Sequence, residues 1–463
     1  MKRSFPEHWV ETELNNIIFD VINGDWGQET KTDKEIIKVK IIRGNEFSGR
    51  SISLAAERYI KEESYERRKL EEGDIVIEIS GGSTNKPVGR VMYVSKKLIC
   101  ETTLPLICSN FYKRIRFSSQ TNKNYIFQYL NYFWYIGGTE TLQTQTTGLK
   151  NLVFNDYISI PIPLPPLNEQ KRIAEKLDAI LPKVKSARDR LEKIPAILKK
   201  FRQSVLAAAC SGKLTEDWRE GKLIIVEKVI KFKESIESMM NGIYKQEKYY
   251  SEKGIACLRM YNISDKGIIF KNLKRIILSE DEIRKFELLE GDIIINRVNS
   301  RELVGKSAVI EKKDLNEKLV FESKNIRIRI NKNIANSKFI NYCLINAKNN
   351  GFFWINSKQT AGMATISQPQ ILELDFNIPP LEEQQEIVRR VEKLFALADS
   401  IEEKYKKAHE RLEKLEQAIL AKAFRGELVE PDPNDEPAEE LLKRILEEKA
   451  KLEREQKGKK RKK

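Results

Sequence analysis

PPLNEQKRIAEKLDAILPKVKSARDRLEKIPAILKKFRQSVLAAACSGKL, residues 165–214, decides the architecture, because the chain returns to it once more. PPLNEQ at 165–170 recurs as PPLEEQ at 379–384, and QSVLAAACSGKL at 203–214 recurs as QAILAKAFRGEL at 417–428, six of twelve positions being identical. Both recurrences lie 214 residues apart, with nothing inserted between the anchors. Such self-similarity marks a duplicated unit. The offset holds upstream, where Gln145-Thr146-Thr147-Gly148 aligns with Gln359-Thr360-Ala361-Gly362, Tyr125 with Phe339, Leu130 with Leu344 and Ser109 with Ser323. Further back it drifts to 216 at Val88-Gly89-Arg90 and Val304-Gly305-Lys306, then to 218 at Gly73-Asp74-Ile75 and Gly291-Asp292-Ile293. Asn23-Gly24 and Asn241-Gly242 keep the 218 spacing. The chain is thus a tandem repeat of one globular domain followed by one long helix.

Apolar or small residues in the first helical stretch fall at Ile173, Leu177, Ile180, Val184, Ala187, Leu191, Ile194, Leu198, Phe201 and Val205. In the second they fall at Ile387, Val391, Leu394, Ala398, Ile401, Tyr405, Ala408, Leu412, Leu415 and Ile419. Steps of 4 and 3 without a break are the seam of a coiled coil. Pro165-Pro166 and Pro379-Pro380 precede the helices, where proline can start a helix, and Gly212 and Gly426 follow as C-caps. The simplest partner for each helix is the other, and the domain between them makes the pair antiparallel, with the globular domains at opposite ends about a pseudo-twofold axis. Pro182 and Pro195 are expected to bend or interrupt the first helix.

The 463 residues exceed one ordinary domain and favour roughly three. No run approaches the ~20 apolar residues of a membrane span, and the start MKRSFPEHWVETELNN lacks the apolar core of a signal peptide. Cys100, Cys108, Cys210, Cys257 and Cys343 are scattered without a CxxC pair, against a zinc site or disulfide framework and in keeping with a reducing cytoplasm. Net charge is +15, and the first helical stretch alone carries +7 where the second carries −1. A basic protein of this size commonly meets nucleic acid, solubility alone being the other explanation.

The globular stretches 1–164 and 215–378 mix short β-type runs (IIKVKII at 36–42, DIVIEI at 74–79, DIIINR at 292–297, NIRIRI at 325–330) with a few helices such as 337–347, an α+β pattern. Polar loops at matching places supply candidate DNA contacts: Gln145, Thr146 and Thr147 before Gly148, and Gln359 and Thr360 before Gly362. Glutamine bonds adenine through two hydrogen bonds in the major groove, and threonine reaches bases or phosphate. The competing reading is that these residues satisfy loop backbone. Arg90 and Lys306 offer cations to phosphate, a surface role being the alternative. The loops holding Ser83 and Asn85, and Arg297, Asn299 and Arg301, occupy equivalent positions with different chemistry. Two readers of different preference on one scaffold would differ in this way.

Catalytic signatures are missing from the sequence. There is no GxxxxGK[ST] phosphate loop, and neither Pro-Pro pair follows the Asn or Asp, or precedes the aromatic, that would hold a flipped base. The two histidines, His8 and His409, are far apart. Glu322-Ser323-Lys324 resembles the end of a nuclease carboxylate–lysine set only superficially. The tail 429–463 has a short helix pattern and ends KGKKRKK; it is expected to be mobile, with a weak contact to the DNA backbone.

The order of globular domain, PPLNEQ helix, globular domain and PPLEEQ helix, with the QSVLAAACSGKL and QAILAKAFRGEL endings, resembles the specificity subunits of type I restriction–modification systems over nearly the whole chain. The resemblance implies target recognition domains at 1–164 and 215–378, spacer helices at 165–214 and 379–428, and a C-terminal tail at 429–463. Each domain would read half of a split site on double-stranded DNA. The helices would fix the gap and dock two methyltransferase subunits and, through them, restriction subunits. This chain would itself be non-catalytic and cofactor-free, with S-adenosylmethionine, ATP and magnesium in its partners. Each seam of 32 residue steps spans about 48 Å at ~1.5 Å per residue, or about 14 base pairs. A structural adaptor that binds proteins through its duplicated domains is the alternative.

Overall fold

The computed structural model describes residues 5–31, 36–44, 56–81, 87–146, 148–220, 228–360 and 362–461. The chain forms two compact units, Met1–Asp189 with His409–Lys463, and Arg190–Ala408. Each unit therefore joins one globular domain to a segment of both helical stretches.

The central sheet of the first unit orders Ile18–Asn23, Tyr112–Phe117, Ile75–Glu78 and Val91–Tyr93, all antiparallel. The second unit repeats it as Ile236–Asn241, Asn325–Ile330, Ile293–Asn296 and Ser307–Val309. The runs IVIE and IIIN are buried at every position because both faces of this sheet are covered. Side chains alternate across a strand, so Ile75 and Ile77 enter the main core while Val76 enters a second one. Ile293 and Ile295 are separated from Ile294 in the same way. Beside this sheet lies a three-stranded one with a parallel pairing, built from Ala56–Lys61, Ile36–Ile42 and Leu106–Cys108 in the first unit. Lys274–Ile276, Tyr250–Leu258 and Leu319–Phe321 form it in the second.

Matching backbone bonds set the true register of the duplication. Ser109 donates to Ile42 as Glu322 donates to Leu258, and Tyr112 donates to Ser109 as Asn325 donates to Glu322. Ser109 thus corresponds to Glu322 and not to Ser323. The Glu322 carboxylate accepts from the Met260 amide at 2.7 Å and from Arg259, a structural task inside the loop.

The shared PPLxEQ opening explains how domain and helix are joined. Gln170 is fully buried; its amide oxygen accepts from the Asn122 backbone and its amide group donates to Pro165. Asn122 in turn caps the helix Lys123–Tyr135. Gln384 does the same for Asn336, the cap of Ser337–Asn349, and also donates to Ile334 and Pro379. The preceding Glu169 accepts from Trp9 and lies 2.9 Å from His8 Nε2, while Glu383 accepts from Thr215. One glutamine side chain thereby holds the cap residue of the domain helix and ties it to the spacer.

The first helical stretch is two helices, Leu167–Leu191 and Ile194–Cys210, whereas the second, Leu381–Phe424, runs unbroken. Of the two prolines only Pro195 interrupts: it sits in the first turn of the new helix, where a missing N–H costs nothing. Pro182 lies inside the first helix, which continues through it. Within each unit the segments pair antiparallel. Ile173, Ala174 and Leu177 share a core with Leu420, Ala423 and Phe424, and Val205, Leu206 and Ala209 share one with Ile387, Val388 and Val391. Arg188 pairs with Glu416 in one unit and Arg202 with Asp399 and Glu402 in the other. Two seam positions are corrected: Ile401 is 38% and Leu415 47% exposed. A straight helix drifts about 20° per heptad against a 3.5-residue repeat, so a seam extrapolated over so many turns loses its partner.

The tail expectation is also corrected. Ala438–Arg461 is a helix packed on the first unit, with Leu441 and Ile445 fully buried and Glu448 accepting from Ser118 and Gln120. The side chains of its basic end lie outside the described residues.

Candidate nucleic-acid interface

Gln145 and Thr146 are expected in a loop, but they end a strand. Gln143–Thr146 pairs antiparallel with Leu149–Leu152, which in turn pairs with Ser80–Gly81. In the second unit Lys358–Thr360 pairs with Met363–Thr365, which pairs with Val298–Asn299. Thr146 opposite Leu149 and Thr360 opposite Met363 leave connections of two residues. Gly148 at φ +88° and Gly362 at φ +77° make these turns possible, since only glycine adopts that region cheaply. Gln145, Gln359 and Thr360 are exposed. A two-stranded ribbon of this width fits the major groove of duplex DNA, and an exposed glutamine near its tip has the donor and acceptor that match adenine. Thr147, Ser83 and Asn85, and the side chain of Thr146, lie outside the described residues.

The remaining predicted contacts divide. Arg90 is held by buried Glu78 through two bonds of 2.8 and 2.7 Å, so its guanidinium serves the fold; the phosphate expectation is corrected there. Asn299 is corrected too. It is buried, donates to Asn296 and accepts from the Ser300 amide, because its strand inserts against Ala364 of the hairpin. Arg297, Arg301, Gln359 and Thr360 are brought together around one hairpin. The Arg297 carbonyl accepts from Ile366, next to the hairpin's inner strand, and Arg301 lies over the Trp354 ring at 4.5 Å, just before its outer strand. Lys306 is half-buried and carries no ion pair among the described residues. Its strand position matches that of Arg90, as Asn296 matches Glu78: each pair exchanges the same two backbone bonds, through Gly89 and Gly305. Asn296 is fully buried among Asn299 and Asn325.

Sequence reasoning missed the exposed residues that flank these hairpins. Trp26 is 41%, Phe111 38% and Tyr244 78% exposed, and Lys324 is exposed as well. Trp26 and Tyr244 each stand two residues beyond the matched Asn-Gly pairs. The 218 spacing carried one step further would have found them.

Two stretches, residues 6–196 and 226–410, match the family described as type I restriction modification DNA specificity domain. Among curated proteins the chain is 37% identical to the StySPI type I restriction enzyme specificity subunit of Salmonella potsdam, over 85% of this chain and 82% of that one. It is 32% identical to the EcoKI specificity subunit of Escherichia coli K12, over 96% of both. Among solved structures it resembles a chain from work on assembly and conformational transition of the type I R-M system (TM-score 0.67, 18% identity, 92% of this chain, 99% of that one). It also resembles the HsdS subunit of Thermoanaerobacter tengcongensis (TM-score 0.54, 18% identity, 92% and 98%). The chain belongs to the type I restriction–modification DNA specificity family, holds two copies of its domain, and is a specificity subunit.

Proposed function

We propose that each globular domain reads one half of a split site on double-stranded DNA by laying its glycine-closed hairpin in the major groove. The helical stretches set the gap between the halves and dock two methyltransferase subunits, and restriction subunits join through these. The chain itself performs no chemistry in this reading; S-adenosylmethionine, ATP and magnesium belong to the partners. One observation carries it: both domains raise an exposed polar ribbon, tipped by Gln145 in one and Gln359-Thr360 in the other, from the same place in the repeat.

Methylation mapping of random DNA by the assembled complex tests it. Gln145→Ala is expected to relax preference in one half-site and Gln359→Ala in the other, each by about 1–3 kcal/mol for the base it no longer reads. Lengthening both helical stretches by whole turns widens the gap and leaves the half-sites intact. Unchanged half-sites in both glutamine variants would remove the hairpins from recognition, and an unchanged gap would remove the ruler.

A further inference from the structure

Beside each hairpin the repeat builds a corner from three matched positions. Gly24 donates to Tyr112 and Asp25 to Cys108, as Gly242 donates to Asn325 and Ile243 to Phe321. A Cβ on Gly24 would stand 2.1 Å from the Ser109 carbonyl, and one on Gly242 2.3 Å from that of Glu322. Only glycine lets these backbones approach so closely, and the approach presents the aromatic two residues later. In the first domain that residue is Trp26, whose ring meets Phe111 edge-on at 6.1 Å, with Arg43 6.0 Å from the ring centre. The Phe111 carbonyl accepts from Ile79 and Ser80, and Leu152 of the hairpin donates to Ile79. In the second domain the residue is Tyr244. Lys324 takes the place of Phe111, since its carbonyl accepts from Arg297, and Ile366 donates to Arg297 as Leu152 does to Ile79. Each corner is therefore continuous with its hairpin sheet.

The chemistry of the two corners has diverged. Ile79 gives way to Arg297, Phe111 to Lys324 and Glu78 to Asn296, each making the second corner more positive by one charge. Ser109 against Glu322 and Asp25 against Ile243 cancel, and Glu322 is engaged by Arg259. Arg297 holds its Nε buried with no hydrogen-bond partner among the described residues.

We propose that these corners are second DNA contacts with different tasks. Trp26 and Phe111 form an apolar corner that senses sequence by packing on a thymine methyl group. Lys324 and Arg297, in the domain where Tyr244 takes the place of Trp26, form a cationic corner that grips phosphate and carries little sequence information. The inference rests on the proposed reading of half-sites by the two domains and adds specificity-determining residues to it.

The test combines methylation mapping with salt titration of DNA binding, using the full chain in its assembled complex. Trp26→Ala is expected to relax preference within the half-site read by the first domain and to leave the salt dependence unchanged. Lys324→Ala is expected to weaken binding across sequences and to reduce the slope of log K against log salt by about 1, with both half-sites intact. Both residues are exposed, and unchanged thermal unfolding of each variant confirms the fold. Gln145→Ala and Gln359→Ala run alongside. If they alter the half-sites while Trp26→Ala and Lys324→Ala move neither readout, the corners are not contacts and the hairpin reading survives; if the two exchange their effects, the assigned division of tasks is overturned. If the glutamine variants are silent too, the reading beneath the inference fails.

Discussion

Asp74 and Asp292 grip their arginines identically, while the arginines two positions earlier have gone separate ways. Arg116 reaches Asp74 at 2.8 and 3.2 Å, and Arg329 reaches Asp292 at 2.8 and 3.2 Å. Each aspartate also accepts a backbone N–H, from Glu71 and Leu289 respectively. Arg114, by contrast, is buried against the Asp20 carboxylate and donates to Lys69. Arg327 has no carboxylate among the described residues; it donates to the carbonyls of Lys285 and Glu287 and to Met240 Sδ, and burial pulls its pKa down. The duplicated frame has kept the interactions that hold the sheet to its loop. Once those were fixed, even buried positions on the neighbouring rung were free to change. The hairpin corners, which the frame only has to support, have changed most.

The largest effect is expected where the two domains agree. Asp74→Ala and Asp292→Ala each take a buried carboxylate from an arginine that is about a third exposed, and Arg116 still keeps Glu71 at 2.9 Å, so each falls below the full cost of breaking a buried pair, at about 2–3 kcal/mol with the Asp292 loss the greater. The two costs are expected to agree within about 1 kcal/mol. Hydrogen exchange followed separately in each unit measures this, and a twofold difference would show that the equal geometry hides unequal energetics. Gln170→Ala and Gln384→Ala come next, at about 2 kcal/mol each, because a buried donor or acceptor is left without a partner. Gln384 makes one more bond, to Ile334, so its loss is expected to be the greater. Arg114→Met and Arg327→Met sharpen the contrast. The first is expected to cost about 1–2 kcal/mol and the second close to nothing, since a buried cation without a carboxylate gains little over a well-packed apolar chain. Chemical denaturation reads both, and equal losses would erase the distinction.

Much of the fold was open to reading from the repeat and its helices because those signals are local and periodic. PPLxEQ, the C-cap glycines at φ +75° and +74°, and the strands at 36–42 and 325–330 all declare themselves within a few residues. What stayed hidden depends on partners distant in sequence. Arg90 looks like a phosphate ligand until Glu78 is seen across the strand pair. Asn299 looks like a base reader until Asn296 and Ala364 enclose it. Ile401 and Leu415 continue the heptad in the sequence, yet the seam follows a real helix that turns by 3.6 residues. The glycines of the hairpins announced a turn, but not that Gln145 and Gln359 end paired strands. Trp26 and Tyr244 carry no periodicity of their own; the 218 spacing of the Asn-Gly pairs before them is the one sequence signal of their equivalence, and matching backbone bonds establish it.

The smallest expected effect separates the units by pH. The PPLxEQ helix carries Arg172 in the first unit, paired with Asp435, and Glu386 at the matching place in the second. Arg389 first, then Arg390, hold the Glu386 carboxyl at about 2 in place of its ordinary 4.5. Arg390 is itself anchored by Asp217. A carboxyl held low in the folded state stabilises fully above its unfolded value, and that contribution fades as pH falls from about 4.5 towards about 2. Because Arg389, the first of the two partners, is mostly exposed, the contribution is modest. Glu386→Gln is expected to flatten the acid limb of the second unit's stability over that window and to leave the first unit's limb in place. Acid titration followed by hydrogen exchange in each unit measures both limbs. An equal change in both would mean that the units do not unfold independently in acid, and the comparison between them would then hold only near neutral pH.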